Sequence, residues 1–290
     1  MTALLAFVRA LHFASLMLIF GGSAFAVLLK RAGLTNPPVR AMHVLFGAAA
    51  TLALLSGAAW FCLIVGEMSG SWRGAIDPPT LELAAYGTRF GQIFTARIIG
   101  LGALWLACLV SRRPHGPVSY ILAGLLLVSL APISHAAAGG SDIAPIGIFS
   151  DALHLLTAGF WLGGLAVLAL LMANYPTYSA ELPDALRLFS AWGSSAVAVL
   201  VITGLINAFA ILPVAAISFD NTYFGLLMLK VGLALAMIAL AALNRWRLAP
   251  ALRNGKPGAK RNLGRSVGAE IALGTTIVLI VGYLGLMAPE

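Results

Sequence analysis

The stretch "RALHFASLMLIFGG" (residues 9–22) has a second copy in "DALHLLTAGFWLGG" (residues 151–164). Shifted by 142 positions, Ala-Leu-His and Gly-Gly recur with the same nine-residue step from the histidine to the first glycine. Of the twenty pairs from Ala10/Ala152 to Leu29/Leu171, eight are identical. Both copies lie in long apolar runs with no period-2 alternation, so each reads as a buried helix bearing one histidine.

The composition places those helices in lipid. Hydrophobic residues make up 60% of the 290, charged residues only 10%, and mean hydropathy is +0.96. That is more apolar surface than a water-soluble core can bury. Apolar runs of about 18 residues or more fall near 2–29, 41–66, 91–111, 117–137, 147–173, 187–212, 223–244 and 266–287. The spacing therefore predicts an all-α polytopic membrane protein of eight transmembrane helices. Turn chemistry separates them at Asn36-Pro37-Pro38, Asp77-Pro78-Pro79, Arg113-Pro114, Gly139-Gly140-Ser141 and Asn254-Gly255. The first run, about 27 residues, is too long for a signal-peptide core and has no A-x-A site, so it is expected to be retained. Cys62 and Cys108 fall in different helices at opposite expected depths, which argues against a disulfide.

Basic residues set the expected orientation. Loops after helices one, three, five and seven hold thirteen: Lys30, Arg31, Arg40, Arg112, Arg113, Arg187, Arg245, Arg247, Arg253, Lys256, Lys260, Arg261 and Arg265. Loops after helices two, four and six hold Arg73 and Arg89. Both termini are thus expected outside and loop 245–265 in the cytoplasm. The net charge of +8 follows from this bias and needs no nucleic-acid partner.

Four helices separate the two histidine helices, so both run the same way through the bilayer. The chain is expected to consist of two parallel four-helix repeats, 1–140 and 141–290, related by an axis along the membrane normal. Ser56-Gly57 pairs with Thr203-Gly204, and "TRFG" (88–91) with "TYFG" (222–225). His12 precedes Lys30 by 18 residues and His154 precedes Asn174 by 20. At 1.5 Å per residue these are about 27 and 30 Å, so both imidazoles belong to the outer part of the membrane. The Gly-Gly pairs below them permit close helix contact.

Other polar groups share that expected level. His135 ends helix four. Asp151 sits one turn before His154, with Arg9 in the matching place before His12, which suggests an Arg9–Asp151 ion pair. Cys62 and Met68 finish helix two, and Met228 and Lys230 lie two turns into helix seven, while His43 and His115 fall at the opposite end. Converging imidazoles suit copper, zinc or a haem iron. The expected metal site is His12, His135 and His154, with Asp151 and Arg9 beside it and Cys62, Met68 and Met228 as possible soft ligands. No Walker motif, phosphorylation loop, CxxC, G-x-S-x-G or H-E-x-x-H occurs, so ATP-driven pumping and hydrolysis lack support and the chain is not read as an enzyme.

"ALHLLTAGFWLGGL" (152–165), "TGLINAFAIL" (203–212), "TYFGLLMLKVGLALAMIALAALNRWRLAPAL" (222–252) and "EIALG" (270–274) resemble the CopD/PcoD copper-resistance family of bacterial inner-membrane proteins. The resemblance implies copper, as Cu(I) or Cu(II), moved across or delivered into the inner membrane. It also implies a periplasmic CopC-type copper-binding partner, here expected to be a separate protein. The alternative reading is a b-type haem electron-transfer protein with His12 and His154 as axial ligands.

Overall fold

The computed structural model describes residues 1–34, 38–110, 116–133, 144–211, 218 and 220–287. All of its regular elements are helical. Seven helical segments are long and apolar enough to cross a membrane, and Pro117–Ile133 forms a shorter apolar one. The long segments are α1 (Thr2–Arg31), α2 (Val39–Met68), α4 (Arg89–Val110), α6 (Ala144–Ala173), α8 (Leu182–Ile211), α9 (Thr222–Leu243) with its continuation, and α11 (Ala259–Leu284), with the single-turn α7 (Tyr175–Tyr178) between α6 and α8. The shorter one is α5 (Pro117–Val128) with a 3-10 turn at Ala131–Ile133.

At the centre, α1 packs on α6, α2, α5 and α11. Leu16, Ile19, Phe25 and Leu29 of α1 meet Phe46, Leu104, Leu127 and Leu168 in one continuous buried core. Exposed apolar residues such as Val44, Leu55, Ile99, Ile202, Phe209 and Leu235 cover the outside, as a bilayer requires of a surface with no polar half. By contrast α9 buries only Tyr223, Phe224 and Met237. Most of it faces outward.

Contacts fix the relative directions. A methyl on Gly264 of α11 would touch Met172 of α6, and one on Gly274 would touch Leu162, so these two helices run antiparallel. Further along α11, Gly282 lies against Ala6 and Ala10 of α1. Hence α1 and α6 run parallel and in register. The start of α1 and the end of α11 lie at one end of the bundle, called here the terminal end; the other is the basic-loop end.

Three boundaries differ from the sequence expectation. Residues 78–87 form a helix, α3 (Pro78–Gly87), where Asp77-Pro78-Pro79 reads as a break. The Asp77 carboxylate accepts from the Thr80 backbone N–H at 3.1 Å, and proline at the first helical position costs no hydrogen bond. The seventh span does not stop at Asn244. It continues through a five-residue π-helical segment, Asn244–Leu248, into α10 (Ala249–Arg253). Pro250 has no N–H for the α-helical ladder, and its ring excludes the carbonyl four residues back, which favours the wider turn. Finally α11 begins at Ala259 rather than 266, because Lys260, Arg261 and Arg265 are exposed helix formers that extend the span beyond its apolar part.

Candidate functional site

The two Gly-Gly sequences meet. A Cβ on Gly21 would lie 1.9 Å from the Gly159 carbonyl oxygen, and one on Gly163 would lie 2.5 Å from the Gly22 nitrogen and 2.6 Å from the Met17 oxygen. Only hydrogen fits between these backbones. The close approach expected of the glycine pairs is therefore made, and it forms a seam between α1 and α6 with almost no side chain in it.

The histidines one to two turns above this seam turn away from it, each into its own half. His12 is fully buried against α2 and α4. Its Nε2 is 2.7 Å from Arg97 Nη2, and guanidinium can only donate, so Nε2 is the acceptor. Nδ1 then carries the proton and donates to the Ala53 carbonyl at 3.0 Å, with Ser56 Oγ at 3.4 Å. The indole of Trp60 stands edge-on to the ring at 5.6 Å. Both nitrogens are thus occupied by protein. Arg97 is held in turn by the Leu126 carbonyl at 2.6 Å, by the Ser129 hydroxyl, and over the Phe94 ring at 5.7 Å. Among the described residues its charge has no carboxylate partner.

His154 is seated by the corresponding elements of the second half, but with a different outcome. The Thr203 hydroxyl donates to the Val199 carbonyl at 2.7 Å, so it accepts from His154 Nδ1–H at 2.9 Å. The lone pair is thereby placed on Nε2, and no guanidinium occupies it. Lys230 of α9 acts electrostatically on both His154 and Asp151. The Asn207 amide reaches the Asp151 carboxylate at 3.4 Å.

The two pockets correspond position by position. Ser56 and Thr203 place a hydroxyl on the Nδ1 side of their histidines. Gly57 and Gly204 lie against Cε1, at 3.2 and 3.6 Å for a Cβ built on each. Arg97 falls nine residues after the Thr of "TRFG" and Lys230 eight after the Thr of "TYFG".

His12 and His154 have different hydrogen-bond partners: Arg97 and Ala53 for the first, Thr203 for the second. Among the described residues no three His, Cys, Asp or Glu side chains gather as a metal-holding group. His135 and His115 lie outside the described residues. Met68 is exposed at the end of α2, while Cys62 and Met228 are half-buried. Arg9 donates to the Gly285 carbonyl at the end of α11 at 2.5 Å and lies 5.1 Å over Trp60. Its recorded neighbours are thus different from those of Asp151. Glu270 is bonded by Asn244, not by the arginines of the basic-loop end that its position suggests. Sequence reasoning missed Arg97 as a histidine partner, and the signal was its place in the "TRFG" repeat.

These features belong to a known class of membrane proteins. The pattern described as "Copper resistance protein D-like, N-terminal domain" matches residues 1–144, and that described as "Copper resistance protein D" matches residues 183–284. The chain belongs to the copper resistance protein D family. It is 28% identical to "Inner membrane protein YebZ" of Escherichia coli strain K12 over 97% of both chains. It is 27% identical to "Copper resistance protein D" of Pseudomonas syringae pv. tomato, over 98% of this chain and 96% of that one. "Copper transport protein CutJ" of Bacillus subtilis strain 168 is 27% identical over 93% of this chain, which spans 50% of the longer relative. No solved structure matches the chain. The protein is an all-α polytopic membrane protein of copper resistance or transport.

Proposed function

We propose that this protein takes up copper in the outer half of the inner membrane and moves or delivers it across, with His154 as the entry ligand. Supporting this reading is one observation: of two matching imidazoles, His154 keeps its Nε2 clear of any guanidinium, while His12 has both nitrogens bonded. A neutral imidazole binds Cu(I) or Cu(II) without leaving a stranded charge in low dielectric. Asp151 and Asn207 orient the site from one side, and His135 and Met228 are the candidate further ligands. His12 enters as a structural counterpart rather than a ligand. Residues 1–140 and 141–290 are read as the two parallel repeats, with both termini periplasmic and the basic-loop end cytoplasmic. A periplasmic copper-binding protein of the CopC type would exchange copper at the terminal end.

The test is metal analysis of the purified chain in nanodiscs. His154→Ala is expected to lose bound copper and copper tolerance in cells while still inserting. His43→Ala, near the opposite end of α2, is expected to retain both. Equal loss in these two variants defeats the outer-site reading.

A further inference from the structure

The second half holds a buried acid that copper entry at His154 does not use. Glu270 of α11 is 1% exposed. Its Oε1 is 2.5 Å from the Asn244 amide, and the Trp161 side chain hydrogen-bonds to the same carboxyl. It lies on a cavity of about 230 Å³ between α6, α8, α9 and α11. Leu165, Phe189, Val197 and Ile238 wall this cavity, and the exposed Arg245 lines it at the basic-loop end. Asn244, a further polar lining group, opens the π-helical segment.

No cation reaches this carboxyl. Arg245 donates to the Ser190 carbonyl at 3.2 Å and to the Ser194 hydroxyl. From α8, Arg187 is paired with Asp184. Asp151, His154 and Lys230 are near the terminal ends of α6 and α9, and among the described residues no salt bridge joins Glu270 to Arg247, Arg253, Lys260, Arg261 or Arg265. An ionised carboxylate in such surroundings is costly, whereas a neutral carboxyl is not.

The hydrogen-bond geometry points the same way. A separation of 2.5 Å is below the usual N–H···O range of about 2.7–3.2 Å and within that of O–H···O. Asn244 Oδ1 is buried and has no partner. Exchanging the two amide atoms, which heavy-atom positions alone do not distinguish, puts that oxygen against Glu270. It then accepts a proton carried by the carboxyl at the short distance observed, and the amide nitrogen takes the position without a partner. A carboxyl and an amide oxygen are hard donors, suited to a proton rather than to soft copper.

We infer that Glu270 and Asn244 form a proton-binding site loaded from the basic-loop end, and that its proton is exchanged for copper in the same half-bundle. The exchange part rests on copper entering at His154; the proton site does not. In the step, Glu270 COOH releases H⁺ through the Arg245-lined cavity to water as Cu⁺ or Cu²⁺ enters, and the remaining carboxylate offsets one positive charge. No electron is transferred.

Infrared difference spectra of the full chain in nanodiscs, titrated with pH, read the carboxyl directly. The expected result is a protonated-carboxyl band that Glu270→Gln abolishes and Asn244→Leu shifts. Should the Gln variant not fold, Glu270→Asp is expected to keep a displaced band. Proton release on adding copper to weakly buffered protein is expected to be about one per copper bound in the wild type and absent in Glu270→Gln. Absence of any Glu270-dependent band between about pH 4 and 10 overturns the site. Equal proton release by wild type and Glu270→Gln at equal copper content overturns the exchange. If His154→Ala keeps wild-type copper while the Glu270 band still responds to it, the entry ligand is wrong and the proton site stands.

Discussion

The first and second half-bundles start from matching sequence and reach opposite states. In the first, the basic residue is an arginine whose fork reaches His12 Nε2, the Leu126 carbonyl and the Ser129 hydroxyl at once. Phe94 lies beneath its charge, and Trp60 packs between Phe94 and His12. In the second, the basic residue is a lysine, a point charge without that fork, and the imidazole keeps an available nitrogen. The second half also holds the cavity of about 230 Å³ at Glu270. The difference teaches how one basic side chain decides whether matching sequence around a histidine occupies both ring nitrogens or leaves one clear of a guanidinium.

The largest effect that would break this comparison is expected at the seam that holds the halves together. Gly163→Leu places a side chain where the Gly22 nitrogen would be 2.5 Å from its Cβ. Backbone cannot yield as a rotamer can, so little folded protein is expected by size-exclusion of the solubilised chain. Even Gly163→Ala should cost about 1–3 kcal/mol, read as a lowered Tm.

Next comes the arginine on His12. Arg97→Leu removes the donor on His12 Nε2 and leaves that nitrogen buried without a partner. A loss of about 1.5–3 kcal/mol is expected, the range for hydrogen bonds to charged groups, with copper content per folded molecule unchanged. The His154→Ala variant should show the reverse pattern: copper lost, Tm nearly kept. Thermal unfolding and metal content measured on both proteins would sharpen the contrast, and identical behaviour of the two variants would erase it.

Smaller effects test orientation. Thr203→Val removes the hydroxyl that keeps the His154 proton on Nδ1, and Asp151→Asn removes the neighbouring carboxylate. Each is expected to weaken copper binding by about 10–100-fold without abolishing it. Ser56→Ala, the matching change in the first half, should leave copper affinity unaltered. Competition titration with a copper chelator measures all three. The smallest effect is expected at the glycines on Cε1. A methyl on Gly57 would meet Leu101 at 2.7 Å and His12 at 3.2 Å, whereas one on Gly204 meets only His154 at 3.6 Å. Gly57→Ala should therefore destabilise slightly, and Gly204→Ala should be neutral or stabilising by up to about 1 kcal/mol.

Most of the membrane architecture was legible because lipid tolerates few polar residues, so apolar runs mark the spans directly. The matching Ala-Leu-His…Gly-Gly segments were legible, and the close helix contact expected of their glycines is present at Gly21 and Gly163. Depth, however, does not determine direction. His12 and His154 could be assigned to one level from residue counts, but whether each ring faces across the seam or into its own half depends on partners from α2 and α8. Ser56 and Thr203 supply those partners, and neither looks polar enough to stand out in an apolar run. Arg97 was hidden because the repeat drifts by one residue before Lys230. The π-helical segment was hidden because Pro250 reads as an ending rather than as a detour.

The contact between α1 and α6 has one more consequence. Where side chains interdigitate, neighbouring helices can respond to one another by exchanging rotamers, and strain dissipates within a few ångströms. Gly21 and Gly163 have no rotamers to exchange. At this level any displacement of α6 meets the backbone of α1 directly. The seam therefore joins α1 and α6 as two rods in direct backbone contact, with no side chain between them to absorb a misfit.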